Sequence, residues 1–212
     1  SSDLGNNCKI YPGAIISAES QDLKYNGEYA ITEIGDNTTV REYVTIHKGT
    51  LDKKTTKVGS NCLLMSYVHV AHDCTIGDNV VIANLVQLAG HVIVNDWVII
   101  EGTAAIQQFV SIGQHAFIAG GSLVRKNVPP YVKAAREPLS YIGVNTIGLR
   151  RRGFNDQQII NIEDIYRVYN YLWKILPVWR TLFPIGLFTH LCAHLKVLIL
   201  GHANIFIVQK QL

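Results

Sequence analysis

The feature that most restricts this chain is a six-residue period. From Val58 the sequence divides into VGSNCL, LMSYVH, VAHDCT, IGDNVV, IANLVQ, LAGHVI, VNDWVI, IEGTAA, IQQFVS, IGQHAF, IAGGSL and VRKNVP, and every block opens on an aliphatic residue. The fifth place is small or medium throughout, from Cys62 and Val68 to Ser122 and Val128. So short a repeat buries an apolar face only by stacking on copies of itself. Short strands joined by tight turns satisfy it, with three successive blocks closing one triangular coil. The first place then points into the prism, and Gly59, Asn61, Gly77, Asp78, Asn79, Asn95, Asp96 and Gly113 suit the turns. The expected fold is mainly β, a parallel β-helix of hexapeptide repeats, and prisms of this class are left-handed.

The period is also present in LGNNCK, IYPGAI, IGDNTT and VREYVT, interrupted by insertions near 21–31 and 51–57. A β-helix is therefore expected over 1–130. It reads as N-terminally truncated, because the chain begins in the middle of the pattern. A connecting segment and a C-terminal α-helical region are expected over 131–212, with Asn155 as helix N-cap and apolar residues at helical spacing behind it. No acidic residue follows Asp164. Pro177, Pro184 and Gly201 interrupt this apolar tail short of the roughly 18 to 20 residues a membrane span needs, so no transmembrane segment is expected.

Hydrophobic residues make up 48% of the chain and charged residues 17%, enough for one sizeable packed domain and too apolar for disorder. A formal net charge of +3, with no basic stripe interleaved with aromatics, argues against nucleic acid as a partner. The four cysteines form no CxxC pair and fit a reducing cytoplasm. Cys62 and Cys74 fall at the inward fifth place and read as buried structural residues.

When three blocks make one coil, residues at the same place of successive coils lie about 4.8 Å apart on the outer wall. Asp73, His91 and Phe109 then form one column, His72, Gly90 and Gln108 the next, and His69 faces Gln87. His72 and His91, one coil and one place apart, become neighbours beside a glycine notch. Three readings fit the residues alone: solvated wall histidines, a zinc site, and general-base catalysis. In the last, His72 removes a proton from a hydroxyl, Asp73 fixes its ring, and the Gly90 N–H receives the oxyanion of an acyl transfer.

QDLKYNGE at 21–28, VREYVTIHKGT at 40–50, HVAHDCTIGD at 69–78, LAGHV at 88–92, NVPPYV at 127–132 and GVNTIGLRRRGF at 143–154 resemble, in the same order, the UDP-N-acetylglucosamine O-acyltransferase family of lipid A biosynthesis. The resemblance covers about residues 1–160. It implies transfer of an R-3-hydroxyacyl group from acyl carrier protein to the 3-hydroxyl of UDP-N-acetylglucosamine, in a cytoplasmic homotrimer, with no metal and no cofactor. By position, His72 matches the family's base, Asp73 its acidic neighbour, and Gly90 the oxyanion donor. His69 and His91 match pocket histidines, and Asp22 and Lys24 match contacts to the sugar nucleotide. Gln108, Asn145, Arg151 and Arg152 match groups contributed by a neighbouring subunit, and Gly120 lies where the acyl-chain length is set, a glycine implying a long chain. Gln107 stands where many relatives carry histidine, which replaces a titrating contact by a neutral one. The alternatives are a related hexapeptide sugar N- or O-acyltransferase, including one using acetyl-CoA, a zinc-dependent hydratase on the same fold, and a non-catalytic scaffold.

Overall fold

The computed structural model describes residues 2–182. Short strands make three sheets of six, eight and six strands, parallel apart from one terminal antiparallel pair. These are the faces of a left-handed parallel β-helix. On the first face Thr75 pairs with Ile93 and Ile93 with Ser111, on the second Val81 pairs with Ile99, and on the third His69 pairs with Gln87. Each partner stands three blocks further along the chain, as the six-residue period requires.

The core follows from that register. Val58, Leu64, Val70, Ile82, Leu88 and Ile100 are fully buried at the first place, with Val68, Val80, Val86 and Val98 at the fifth. Cys62 and Cys74 are buried too, and their sulfurs lie 3.1 Å from the carbonyl oxygens of Gly77 and Ala89. Burial pushes the Cys62 thiol up to about 11 and that of Cys74 to about 12, which keeps both protonated and unreactive.

The turns differ from expectation. The fourth place is left-handed in every block from Val58 except the last, that of Asn127: φ is 56° at Asn61 and 57° at Asn79, but also 64° at Tyr67 and Leu85, 62° at Trp97 and Thr103, and 65° at Phe109. A residue with a side chain is disfavoured there by roughly 1–2 kcal/mol. The stack offsets this cost. Each such N–H except that of Asp73, which donates to the Thr56 hydroxyl, donates to a carbonyl in the preceding coil, as in Leu85 to Ser66, Trp97 to Asp78 and Phe109 to Gly90. Rings also stack up the corners: Tyr43 on Tyr67 at 5.1 Å, His91 on Phe109 at 4.6 Å, His115 on Tyr131 at 5.4 Å between centroids.

Register also locates the insertions. Ser2 pairs with Thr32, five block lengths on instead of three, and Ile34 pairs with Val58, four on. The first coil therefore holds two extra blocks' worth of chain and the second coil one. The first insertion occupies 19–30, between strands Ile15–Ala18 and Ile31–Ile34. The second lies within 48–54, because Thr55–Val58 is already a paired strand, not part of the interruption expected to reach residue 57. Both leave the prism where the third face turns into the first. The turn between His69–Val70 and Thr75–Ile76, which carries His72 and Asp73, is at that same corner.

The prism does not end at residue 130. Val132–Ala135 pairs with Phe117–Ile118, and Ser140–Val144 folds back on it antiparallel, so the break between compact units falls between Asn145 and Thr146. The second unit contains α1 (Thr146–Arg151) and α2 (Asp156–Leu182). Asn155 caps α2 as expected: its Oδ1 accepts the Gln158 N–H while Gln158 Oε1 accepts the Asn155 N–H, both at 2.9 Å. Ile159, Ile162 and Tyr166 give the helix its buried stripe. Pro177 does not end the helix, which continues to Leu182. Proline's φ is helical, and its penalties, one missing N–H and a clash with the carbonyl four residues back, do not break the helix here. Pro184, Gly201 and the rest of the apolar tail lie outside the described residues. Among the described residues no helix is long and apolar enough to cross a membrane.

Candidate active site

His72, Asp73, Gly90 and His91 come together on the wall as the register predicts, with one difference. Asp73 is not on the surface: the second insertion covers it and its exposure is 0%. Its carboxylate is held from both sides. Oδ1 accepts the N–H groups of Thr50 at 2.9 Å and Lys53 at 3.3 Å; Oδ2 accepts the Thr50 hydroxyl at 2.5 Å and meets His72 Nδ1 at 2.9 Å. The main chain is fixed as well, the Asp73 N–H donating to Thr56 Oγ1 at 2.8 Å and its carbonyl accepting Lys53 Nζ at 2.9 Å. Burial pushes the carboxyl up, but the hydrogen bonds from Thr50 and then His72 together outweigh it and hold Asp73 below the ordinary carboxylate range. An ionised carboxylate accepts only, so the 2.9 Å contact has His72 donating from Nδ1, and in the neutral tautomer that this bond selects Nε2 is the acceptor.

Gly90 lies against that ring. A Cβ there would come within 2.6 Å of His72 Nε2 and Cε1, so only glycine leaves the ring in place. Among the described residues the Gly90 N–H donates to no acceptor, which leaves it available beside His72.

The other wall histidines join this group. His91 stands perpendicular to His72 at 5.1 Å between centroids, with Nε2 3.7 Å from Asp73 Oδ2 and Nδ1 3.4 Å from Asp52 Oδ2. Burial lowers its pKa, more than Asp73 raises it. His69 bonds Thr45 Oγ1 through Nδ1 at 2.8 Å, and burial, then His47 and His72, lower its pKa. His47 is a residue that sequence reasoning misses. It packs edge-on against His69 at 5.0 Å and bonds the Glu19 carbonyl at 2.6 Å, tying the first insertion to the third face. Its signal is in the sequence: once the extra block in the second coil is counted, Ile46 pairs with Val70, which sets His47 beside His69.

His72, Asp73 and His91 also offer three ligand atoms within 4.8 Å of one another, the only such group of potential metal ligands among the described residues. The donor set suits zinc. However, both Asp73 oxygens are already occupied by Thr50, Lys53 and His72, and an ion would have to displace these bonds.

The remaining expected residues are more scattered. Asp22 and Lys24 lie on the first insertion, Asp22 Oδ1 accepting the Lys24 N–H at 3.0 Å, and Glu28 of that loop accepts the Leu51 N–H of the second at 3.1 Å. Gln108 is exposed in the Gly90 column. Asn145 is buried at another corner, its amide donating to the His115 carbonyl at 3.0 Å, so one chain does not bring it to His72. The Gly120 N–H donates to Glu101 Oε2 at 3.1 Å. Of the three arginines, Arg150 pairs with Asp156 at 3.1 Å, Arg151 is exposed, and burial lowers the pKa of Arg152.

Comparison with known proteins adds a family to this geometry. Residues 55–90 match the bacterial transferase hexapeptide model and residues 127–171 the model for domain 2 of UDP-N-acetylglucosamine O-acyltransferase. A crystal structure of UDP-N-acetylglucosamine O-acyltransferase (LpxA) from Moraxella catarrhalis is 36% identical, covers 95% of this chain and 77% of its own, and superposes with a TM-score of 0.79. The chain belongs to the UDP-N-acetylglucosamine O-acyltransferase family. The curated acyl-[acyl-carrier-protein]–UDP-N-acetylglucosamine O-acyltransferases of Psychromonas ingrahamii and Myxococcus xanthus are 53% and 44% identical over 166 residues, 78% of this chain. The chain spans 63% and 64% of the length of these two O-acyltransferases.

Proposed function

We propose that this chain transfers an R-3-hydroxyacyl group from acyl carrier protein to the 3-hydroxyl of UDP-N-acetylglucosamine, the opening reaction of lipid A biosynthesis, in the cytoplasm. The observation that carries the reading is the His72 Nδ1 to Asp73 Oδ2 contact of 2.9 Å directly over the bare Gly90 backbone. His72 Nε2 takes the proton of the sugar 3-hydroxyl as its oxygen attacks the thioester carbonyl. The Gly90 N–H stabilises the oxyanion that forms. The carbon–sulfur bond then breaks and the imidazolium returns the proton to the departing thiolate of the carrier. Asp73 remains ionised throughout and holds the ring. No nucleophilic serine or cysteine is needed, and the two buried thiols are unsuited to the task.

Asp22, Lys24, His69 and His91 are assigned to the sugar nucleotide and acyl pocket of one copy, and Gln108, Asn145, Arg151 and Arg152 to its neighbour in a homotrimer. The position of Asn145 at a different corner from His72 supports a shared site. Arginine forks suit a diphosphate, and Gly120 is assigned to the acyl-chain end. The His72, Asp73 and His91 cluster favours a zinc hydratase as the second reading.

The test is direct transfer. Purified chain with UDP-N-acetylglucosamine and R-3-hydroxyacyl carrier protein is expected to give the 3-O-acylated sugar nucleotide, and His72→Ala to slow it by roughly 10²- to 10⁴-fold. Transfer at the wild-type rate by a folded His72→Ala variant removes His72 as the base, and preference for an acyl-CoA over the carrier thioester moves the chain to a different acyltransferase reaction.

A further inference from the structure

The second insertion occupies the same corner as the catalytic pair, and it supplies three of the four hydrogen bonds that reach the Asp73 carboxylate: Thr50 N–H, Thr50 hydroxyl and Lys53 N–H. The fourth is from His72 itself. A carboxylate swings broadly about its last torsion, so Oδ2 stays aimed at His72 only if something else holds that oxygen. Among the described residues the Thr50 hydroxyl is the sole other hydrogen-bond donor to Oδ2. Its distance of 2.5 Å is that of a strong charge-assisted bond in a site from which water is excluded.

We propose that Thr50 is a positioning residue for the reaction: its hydroxyl, donating to Asp73 Oδ2, locks the carboxylate so that the same oxygen fixes the His72 ring with Nε2 free. The proposal rests on the acyl-transfer reading for its kinetic consequence, but the geometry it describes does not. Among the described residues Thr50 makes no hydrogen bond to His72, and it acts through Asp73. A loop that interrupts the repeat thus becomes part of the machinery, which explains why it folds down over Asp73 instead of into solvent.

Thr50→Val keeps the side-chain shape and removes the hydroxyl; Thr50→Ser keeps the hydroxyl and removes the methyl. Both are made in the full chain and read in two ways. Steady-state kinetics with carrier-linked acyl donor are expected to show kcat of Thr50→Val down by about 10- to 100-fold with KM within about threefold, and Thr50→Ser close to wild type. Imidazole ¹⁵N and ¹H NMR is expected to show a slowly exchanging His72 Nδ1–H in wild type and Thr50→Ser, broadened or lost in Thr50→Val. An unchanged Nδ1–H signal together with unchanged kcat in Thr50→Val overturns the proposal. So does equal damage in Thr50→Ser, which assigns Thr50 to packing alone. A wild-type chain that transfers no acyl group yet loses the His72 signal in Thr50→Val upholds the positioning role and defeats the acyltransferase reading instead.

Discussion

The backbone N–H of His91 donates to the carbonyl of His72 at 3.0 Å, across more than a full coil of sequence. One rung of the prism ladder therefore joins the two histidines through the main chain, and their side-chain contact is a by-product of the coil register. That register is set by the apolar interior, so the spacing of His72 and His91 inherits the rigidity of the core.

Replacing Gly90 by alanine is expected to separate activity from stability. No left-handed φ requires glycine at 90, so the new methyl group is tolerated by the backbone, but it sits 2.6 Å from His72 Nε2. The ring must move. Acyl transfer should fall by about 100-fold while the unfolding free energy stays within about 1 kcal/mol of wild type; denaturant titration beside kinetics checks both.

Acidification should destabilise the fold before its carboxylates titrate. His69 and His91 have folded pKa values below the ordinary histidine value of about 6.5. Between that value and their folded values the unfolded chain binds more protons, so stability rises with pH there and is lost as pH falls. Asp73, depressed in the folded state, adds a further loss at lower pH, below an unfolded value of about 3.9 and through its folded one. Urea midpoints measured downward from about pH 7.5 should begin to drop near about pH 6.5, and His69→Gln should blunt the first part of the decline.

Chelation should leave acyl transfer intact. The Asp73 oxygens are engaged by Thr50, Lys53 and His72, and an ion could bind only by breaking those bonds. Exhaustive EDTA dialysis followed by elemental analysis and a transfer assay is expected to give metal-free, fully active protein; activity that vanishes and returns with zinc would favour the hydratase reading.

Thr103→Asn should stabilise the chain by about 1 kcal/mol, because Thr103 is β-branched, exposed and held at φ 62°, where asparagine is far better tolerated. An increased denaturant midpoint with an unchanged m-value is the expected result.

The prism is legible in the sequence because its rule is local: Val58, Leu64 and Val70 announce the interior by spacing alone, and Cys62 and Cys74 follow from the same count. The corner at His72, Asp73, Gly90 and His91 is legible for the same reason, since three blocks make one coil. Leu85 and Trp97 in left-handed turns are not, because stacking and hydrogen bonds from adjacent coils override a local preference for glycine or asparagine. Nor is the burial of Asp73. Which way a loop folds depends on donors such as Thr50, whose partner is 23 residues away, and no local pattern marks that pairing. His47 escapes notice because the same insertion shifts it out of step with His69.

The segments at 19–30 and 48–54 depart from and rejoin the prism at one edge, the edge that also bears His72 and Asp73. Residues can be gained or lost there while all three faces keep their pairing. The interior behaves as a ruled spine that tolerates little editing, and this one seam is where such a chain is free to be re-tailored to the molecule it must hold.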